Sequence, residues 1–156
     1  MEGSWIINEQ SQYRVGESCR MIQEGDNRHA VLSTHWPSQT DHESPKWKWE
    51  VEDMKNSQMY RIRNVGSDRY LGVVELFDGE ATVATLDDGD AEACKWKIES
   101  KGDGTMCYIQ AVQSELYLQE IYGSTWANDV WDAKVGLARE KNLALWSFMS
   151  AWTPPQ

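Results

Sequence analysis

Basic residues are scarce in this chain: 15 lysines and arginines stand against 25 aspartates and glutamates, for a net charge of -10. Nucleic acid and anionic membranes are therefore not expected as partners, because binding either requires a basic patch that displaces counterions. Cysteine is scarce too. Cys19, Cys94 and Cys107 are odd in number, widely spaced and without a CxxC, which argues against a disulfide framework and against a zinc site. No apolar stretch approaches the roughly 20 residues of a membrane span, so no membrane insertion is expected. The amino end, Met1-Glu-Gly-Ser-Trp-Ile-Ile-Asn, shows neither the basic region nor the apolar run of a signal peptide, and no Asn-x-Ser/Thr acceptor occurs. These absences predict a cytoplasmic protein with reduced thiols, with unconventional secretion left open. Catalytic signatures are also missing. There is no Gly-x-Ser-x-Gly, no cysteine beside a recognisable partner and no carboxylate pair set by spacing for glycosidase work. No catalytic residue, cofactor or metal is expected.

What remains is an ordinary globular composition with one peculiarity. The 156 residues suit one domain spanning 1–156, and 40% hydrophobic content excludes whole-chain disorder. The peculiarity is nine tryptophans against two phenylalanines. A tryptophan buries a large area and carries one N–H that wants an acceptor, so most of the nine are expected in the core and a minority on the surface as stacking platforms.

An internal repeat organises the chain. Met59-Tyr-Arg-Ile-Arg-Asn-Val-Gly-Ser-Asp-Arg-Tyr-Leu71 matches Met106-Cys-Tyr-Ile-Gln-Ala-Val-Gln-Ser-Glu-Leu-Tyr-Leu118 without a gap, at an offset of 47 residues. A weaker copy, Trp5 to Tyr13, places Ile6 with Ile62, Asn8 with Asn64, Ser11 with Ser67 and, after one deletion, Tyr13 with Tyr70. A second anchor closes each copy: Lys46-Trp47-Lys48, Lys95-Trp96-Lys97, and Leu145-Trp146-Ser147-Phe148. Trp47, Trp96 and Trp146 are thus expected buried at equivalent places. The repeats run approximately 4–52, 53–100 and 101–152.

Each copy reads as β. Residues 60–65 alternate as a half-buried strand does, Gly66-Ser67-Asp68 is a turn cluster, and short runs follow at 69–75, 81–86 and 94–99. Only Asp132 to Leu145 competes as helix, and Val135-Gly-Leu-Ala138 falls where the repeat wants its third strand. Three units of four strands predict an all-β chain, a β-trefoil of twelve strands in three degenerate repeats. A three-bladed propeller has fewer blades than propellers need, and an irregular β-sandwich is the remaining alternative.

Tyr60-Arg-Ile-Arg-Asn-Val-Gly-Ser-Asp-Arg-Tyr-Leu71 resembles the repeat opening of the ricin-B-type β-trefoil lectins, especially the small intracellular lectins of mushroom-forming fungi. The closing tryptophans fall where that family has Gln-x-Trp. Cys94-Lys-Trp-Lys-Ile98 and Gly123-Ser-Thr-Trp-Ala127 are similar to the later half of the fungal cysteine-protease inhibitors called mycocypins. The first resemblance implies a non-catalytic lectin with a glycan or glycoprotein as partner; the second implies a protease as partner. The lectin family's sugar-binding Asp corresponds to Gly72 and Gln119 here, and its Gln to Pro45, Cys94 and Ala144. The sugar-binding set is therefore degenerate, and any glycan must be held by other residues.

Three tryptophans do not recur. Trp126 and Trp131 lie in Gly123-Ser-Thr-Trp-Ala-Asn-Asp-Val-Trp-Asp132, and Trp36 follows His35. Aromatic faces stack on the C–H groups of a pyranose while amides and carboxylates take its hydroxyls. Trp126, Asn128, Asp129, Trp131 and Asp132 are thus the carbohydrate-binding candidates on the third repeat, with His35 and Trp36 as a lesser site on the first. The alternative is that these rings cover the core beneath a long loop. Repeat two, offering Gly72 and small residues, is expected to be empty. The acidic run Asp87 to Glu92 lacks the spacing of an EF-hand and reads as a solvated turn. His29, His35 and His42 have no further ligand motif beside them.

Overall fold

The computed structural model describes residues 3–24, 27–35, 44–55, 58–75, 81–102, 106–121, 133–141 and 144–149, with the backbone alone at 18–24, 27–35, 121, 133 and 134. Twelve strands form one continuous hydrogen-bonded sheet. They are β1 (Trp5–Asn8), β2 (Arg14–Glu24), β3 (Asn27–His35), β4 (Trp49–Asp53), β5 (Tyr60–Asn64), β6 (Tyr70–Glu75), β7 (Ala81–Leu86), β8 (Trp96–Ser100), β9 (Met106–Ala111), β10 (Tyr117–Ile121), β11 (Ala133–Ala138) and β12 (Trp146–Met149). Of the stretch that competes as helix in sequence, Ala133–Ala138 is strand β11, and its other described residues are not helical.

The first and fourth strands of each repeat close a barrel. Pairing runs β1–β12–β9–β8–β5–β4. The ring is completed where Ser4 bridges Trp49, each donating its backbone N–H to the other's carbonyl at 2.7 and 2.8 Å. The second and third strands form hairpins β2–β3, β6–β7 and β10–β11 that meet through β3–β7 and β11–β3. Closure removes the unpaired edges that an open sheet of this length would expose. This is the β-trefoil.

The repeat is exact in hydrogen bonding where it is faint in sequence. Trp49, Trp96 and Trp146 pair with Ser4, Tyr60 and Cys107. Each indole N–H donates to a second-strand carbonyl: Val15 at 3.0 Å, Leu71 at 2.9 Å and Leu118 at 2.9 Å. All three rings are fully buried, in one core with Ile6, Ile62, Ile109 and Phe148. Leaving such an N–H unpaired in the core costs about 1–3 kcal/mol, so the acceptor is part of why tryptophan is tolerated there.

Two expectations shift in register. The equivalent of Trp96 in repeat one is Trp49, not Trp47. Lys-Trp occurs twice in Lys46-Trp-Lys-Trp49, and only the second copy keeps the 47-residue offset of the other anchor. Trp47 is buried too, but in a 3-10 turn (Pro45–Trp47) matching Glu92–Cys94. Cys94 therefore lies in that turn and not on the strand leading to Trp96. The first copy also needs no deletion. Gln12, Asp68 and Glu115 all adopt left-handed φ of 62–65°, and their N–H groups bond the carbonyls of Asn8, Asn64 and Ala111. Arg14, not Tyr13, thus corresponds to Tyr70 and Tyr117.

Candidate functional site

The corrected register aligns two positions across the repeats, and in repeats one and two they stand face to face. One is the third residue of the second strand: Gly16, Gly72 and Gln119. The other lies two residues before the closing tryptophan: Trp47, Cys94 and Ala144, with Trp47 replacing Pro45 of the sequence alignment. In repeat one the Trp47 ring occupies the space where a Cβ on Gly16 would sit. In repeat two a Cβ on Gly72 would come within 2.5 Å of Leu86 Cδ1 and 3.0 Å of Cys94 Sγ. Large meets absent in the first repeat, small meets absent in the second. Both positions leave no room for a side chain, the second being crowded also by the Ala93 carbonyl oxygen at 3.2 Å.

Repeat three reverses the arrangement. Gln119, half-buried on β10, stands opposite Gly136 of β11, and its counterpart Ala144 is small. It is the one polar side chain at this position among the three repeats. An amide supplies two donors and an acceptor, the kind of group that fixes a hydroxylated ligand. Sequence alignment marks Gln119 only as a departure from aspartate; its place opposite Gly136, partly open to solvent, is visible only in the fold.

Of the carbohydrate-binding candidates, only His35 lies among the described residues. Trp36, Trp126, Asn128, Asp129, Trp131 and Asp132 lie outside the described residues. His35 ends β3, its backbone paired with Arg14. His29 shares that strand. The acidic run is tied outward: Asp87 to Arg69 at 3.5 Å, Asp90 to Arg61 at 2.8 Å, and Glu92 to Lys95 at 2.5 Å. Those carboxylates answer separate cations and do not converge. Among the described residues no group of three or more His, Cys, Asp or Glu could hold a metal ion.

Cys94 and Cys107 are free and fully buried. Burial pushes both thiols from an ordinary 9.0 up to about 12, with Asp88 adding to the effect at Cys94 and Glu9 at Cys107. A thiol so far from its thiolate is a poor nucleophile.

Repeat two also has a hollow of about 530 Å³ that the sequence does not announce. It lies beyond Gly72, toward repeat three, between β6, β7 and the turn after β9.

Residues 22–137 match the family model described as "Ricin-type beta-trefoil lectin domain-like". No curated protein matches the chain. Among solved structures the chain is similar to the SDF2-like protein from Arabidopsis thaliana, at 15% identity and a TM-score of 0.75, covering 98% of this chain and 96% of that one. It is similar to the designed 3-fold symmetric protein ThreeFoil, at 14% identity and a TM-score of 0.72, covering 95% and 98%. SeviL, solved bound to asialo-GM1 saccharide, is similar at 13% identity and a TM-score of 0.63, covering 97% and 100%. At these identities the likeness is one of fold.

Proposed function

The chain belongs to the ricin-type β-trefoil lectin domain-like family, and from that membership we propose that it is a non-catalytic carbohydrate-binding protein whose working site lies on repeat three. The observation that carries this reading is the exchange at the paired positions. At the position of Gly16 and Gly72, which are crowded by Trp47 and by Leu86 with Cys94, repeat three carries the half-buried Gln119, and the residue two before its closing tryptophan is the small Ala144. The segment joining the two strands of that hairpin contains Trp126, Asn128, Asp129, Trp131 and Asp132. In this reading its rings supply stacking faces, its amide and carboxylates accept from hydroxyls, and Gln119 of β10 adds a donor. SeviL, of the same fold, is bound to a saccharide. His35 and Trp36 form a lesser site on repeat one. Trp126 stacking is worth about 0.5–1.5 kcal/mol beyond its area, by analogy with aromatic pairs.

A glycan array followed by titration calorimetry on wild type, Gln119→Ala and Trp126→Ala tests this. Both variants should weaken the glycan that wild type selects while melting normally. Unchanged binding in both would remove the site from repeat three. A wild type silent on glycans that inhibits a papain-like protease would replace the lectin reading with the inhibitor one.

A further inference from the structure

On the barrel wall, each junction between repeats carries an aromatic ring beside a cation, and two of the three junctions add a carboxylate. The third residue after the closing tryptophan is Glu52, Glu99 or Met149, and its cross-strand partner on the next repeat is Arg61, Tyr108 or Trp5. The second strand of that next repeat opens with Tyr70, Tyr117 or Arg14. Where repeat one meets repeat two, Arg61 Nε meets Glu52 Oε1 at 2.7 Å, and the same guanidinium lies 5.4 Å from the centre of the Tyr70 ring. Where repeat two meets repeat three, Lys141 Nζ meets Glu99 Oε1 at 3.2 Å and lies 4.9 Å from the Tyr108 ring, which packs edge-on against Tyr117. Where repeat three meets repeat one, the ring is Trp5. The Arg14 guanidinium lies 4.4 Å from its centre and the Lys48 ammonium 3.9 Å. The cation over a ring is thus kept and doubled, while the carboxylate position holds Met149. Met149 is the one large hydrophobic side chain exposed among the described residues, at 49%.

We infer that this third junction is a docking site for an acidic peptide segment of a partner protein, whose carboxylate takes the place that Glu52 and Glu99 fill at the other two. A guanidinium and an ammonium each carry several N–H donors, so each takes an acceptor beside those it already has. Lys48 is buried, and a buried charge is screened less than an exposed one. A sugar is a poor occupant, because two cations over one indole leave less of its face for a pyranose. A small free acid is also a poor occupant. Met149 stands half out of a strand face, and a small ligand there would keep much of its own surface in water. A chain segment brings apolar side chains next to its acid, and the unbranched thioether of Met149 adapts to them. The net charge of -10 repels an acidic partner at a distance, which confines docking to the place where two cations meet.

The test titrates the full chain with the peptide N-acetyl-Leu-Glu-Leu-amide and with its Gln counterpart, followed by chemical-shift mapping. The Glu peptide should bind one to one, shift the Trp5 indole N–H and the Met149 methyl, and bind about fivefold more tightly than the Gln peptide, the effect of a partly exposed ion pair. Arg14→Gln should weaken the Glu peptide by about the same factor. Met149→Glu supplies the carboxylate from within, as the other two junctions do, and should abolish binding; Met149→Gln, of similar size and uncharged, should retain it. Equal affinity for the two peptides, wild-type binding in Met149→Glu, or an unchanged affinity in Arg14→Gln would each overturn the assignment. So would hexanoate binding as tightly as the Glu peptide, which would make the occupant a small acid, or a dimer in sedimentation that Met149→Glu dissociates, which would make it a second copy of the chain. Gln119→Ala should leave Glu-peptide binding intact, so failure here and failure of the glycan reading are told apart.

Discussion

In the barrel, three tryptophans make one bond three times, at 3.0, 2.9 and 2.9 Å, to the same carbonyl of the second strand. Outside the barrel ladder, the aligned positions on the second strand and in the turn before the closing tryptophan carry three different solutions: glycine under tryptophan, glycine under cysteine, and glutamine with alanine. Both regions descend from one repeat unit, so the difference reflects constraint. A barrel strand is fixed on both sides by ladders and on one face by the core, and any change must satisfy all of them. The aligned positions answer to a few side chains, and a change in one can be absorbed by a change in its neighbours. These positions can therefore vary from repeat to repeat without cost to closure.

The largest expected effect falls on the barrel. Trp49→Ala, Trp96→Ala and Trp146→Ala should each destabilise by about 3–5 kcal/mol, since each opens a core cavity and strands a buried carbonyl. Chemical denaturation of the three variants checks this. A cost at Trp49 far below the other two would break the equivalence and return Trp47 to the anchor position.

Next come the sealed positions. Gly16→Ala should cost about 1–3 kcal/mol by overpacking, because its Cβ would sit within the Trp47 ring, which is buried and has nowhere to move. Gly72→Ala should cost less. Its closest contact, at 2.5 Å, is the far end of the Leu86 side chain, half-buried and able to rotate away. Equal costs in thermal melts would mean that the Trp47 ring is free to yield.

The thiols give a pH test. An unfolded cysteine ionises near 9.0, whereas Cys94 and Cys107 stay protonated in the folded chain until about pH 12. Between those values the folded state binds more protons than the unfolded one, so stability is intact below pH 9 and falls as pH rises toward 12. Urea midpoints across that window should decline, and Cys94→Ala should flatten the decline relative to wild type. A slope unchanged in both Cys94→Ala and Cys107→Ala would assign the alkaline loss to other groups.

The sequence-to-structure gap follows the same division. The gapless match of Met59–Leu71 with Met106–Leu118 shows the period, and turn residues with alternating strands suffice for the β-trefoil, because the barrel repeats its side chains along with its bonds. The ends of repeat one were misread for a local reason. Lys46-Trp-Lys-Trp49 offers two copies of the same dipeptide, and Tyr13 sits one residue from the place where Tyr70 and Tyr117 lead one to seek it. Backbone bonds decide both cases, and they leave no trace in composition. The hollow of repeat two is illegible for a different reason. Val73 and Ala111 are unremarkable in their own strands, and only the fold brings both to one wall.

The smallest expected effect concerns the three tight turns, where the repeats agree in backbone but not in side chain. Gln12, Asp68 and Glu115 sit at φ of 65°, 62° and 63°, a region that costs a residue with a Cβ roughly 1–2 kcal/mol. Glycine removes that cost but adds about 0.5–1 kcal/mol of unfolded-state entropy. Glu115→Gly should therefore stabilise by a few tenths of a kcal/mol. Gln12→Gly should gain slightly less, since the Gln12 amide also donates to the Glu9 carbonyl at 3.0 Å on the surface. Asp68→Gly should gain least or turn unfavourable, because it removes the carboxylate that Arg63 Nη1 meets at 2.9 Å. Arg63 keeps Glu50 and Glu52, so the loss stays within the 0–1 kcal/mol of an exposed pair. Thermal melts at low and at high salt separate the two contributions. Salt should raise Asp68→Gly toward the other two variants, and an order that salt leaves unchanged would show that the turn backbone, and not the ion pair, sets the difference.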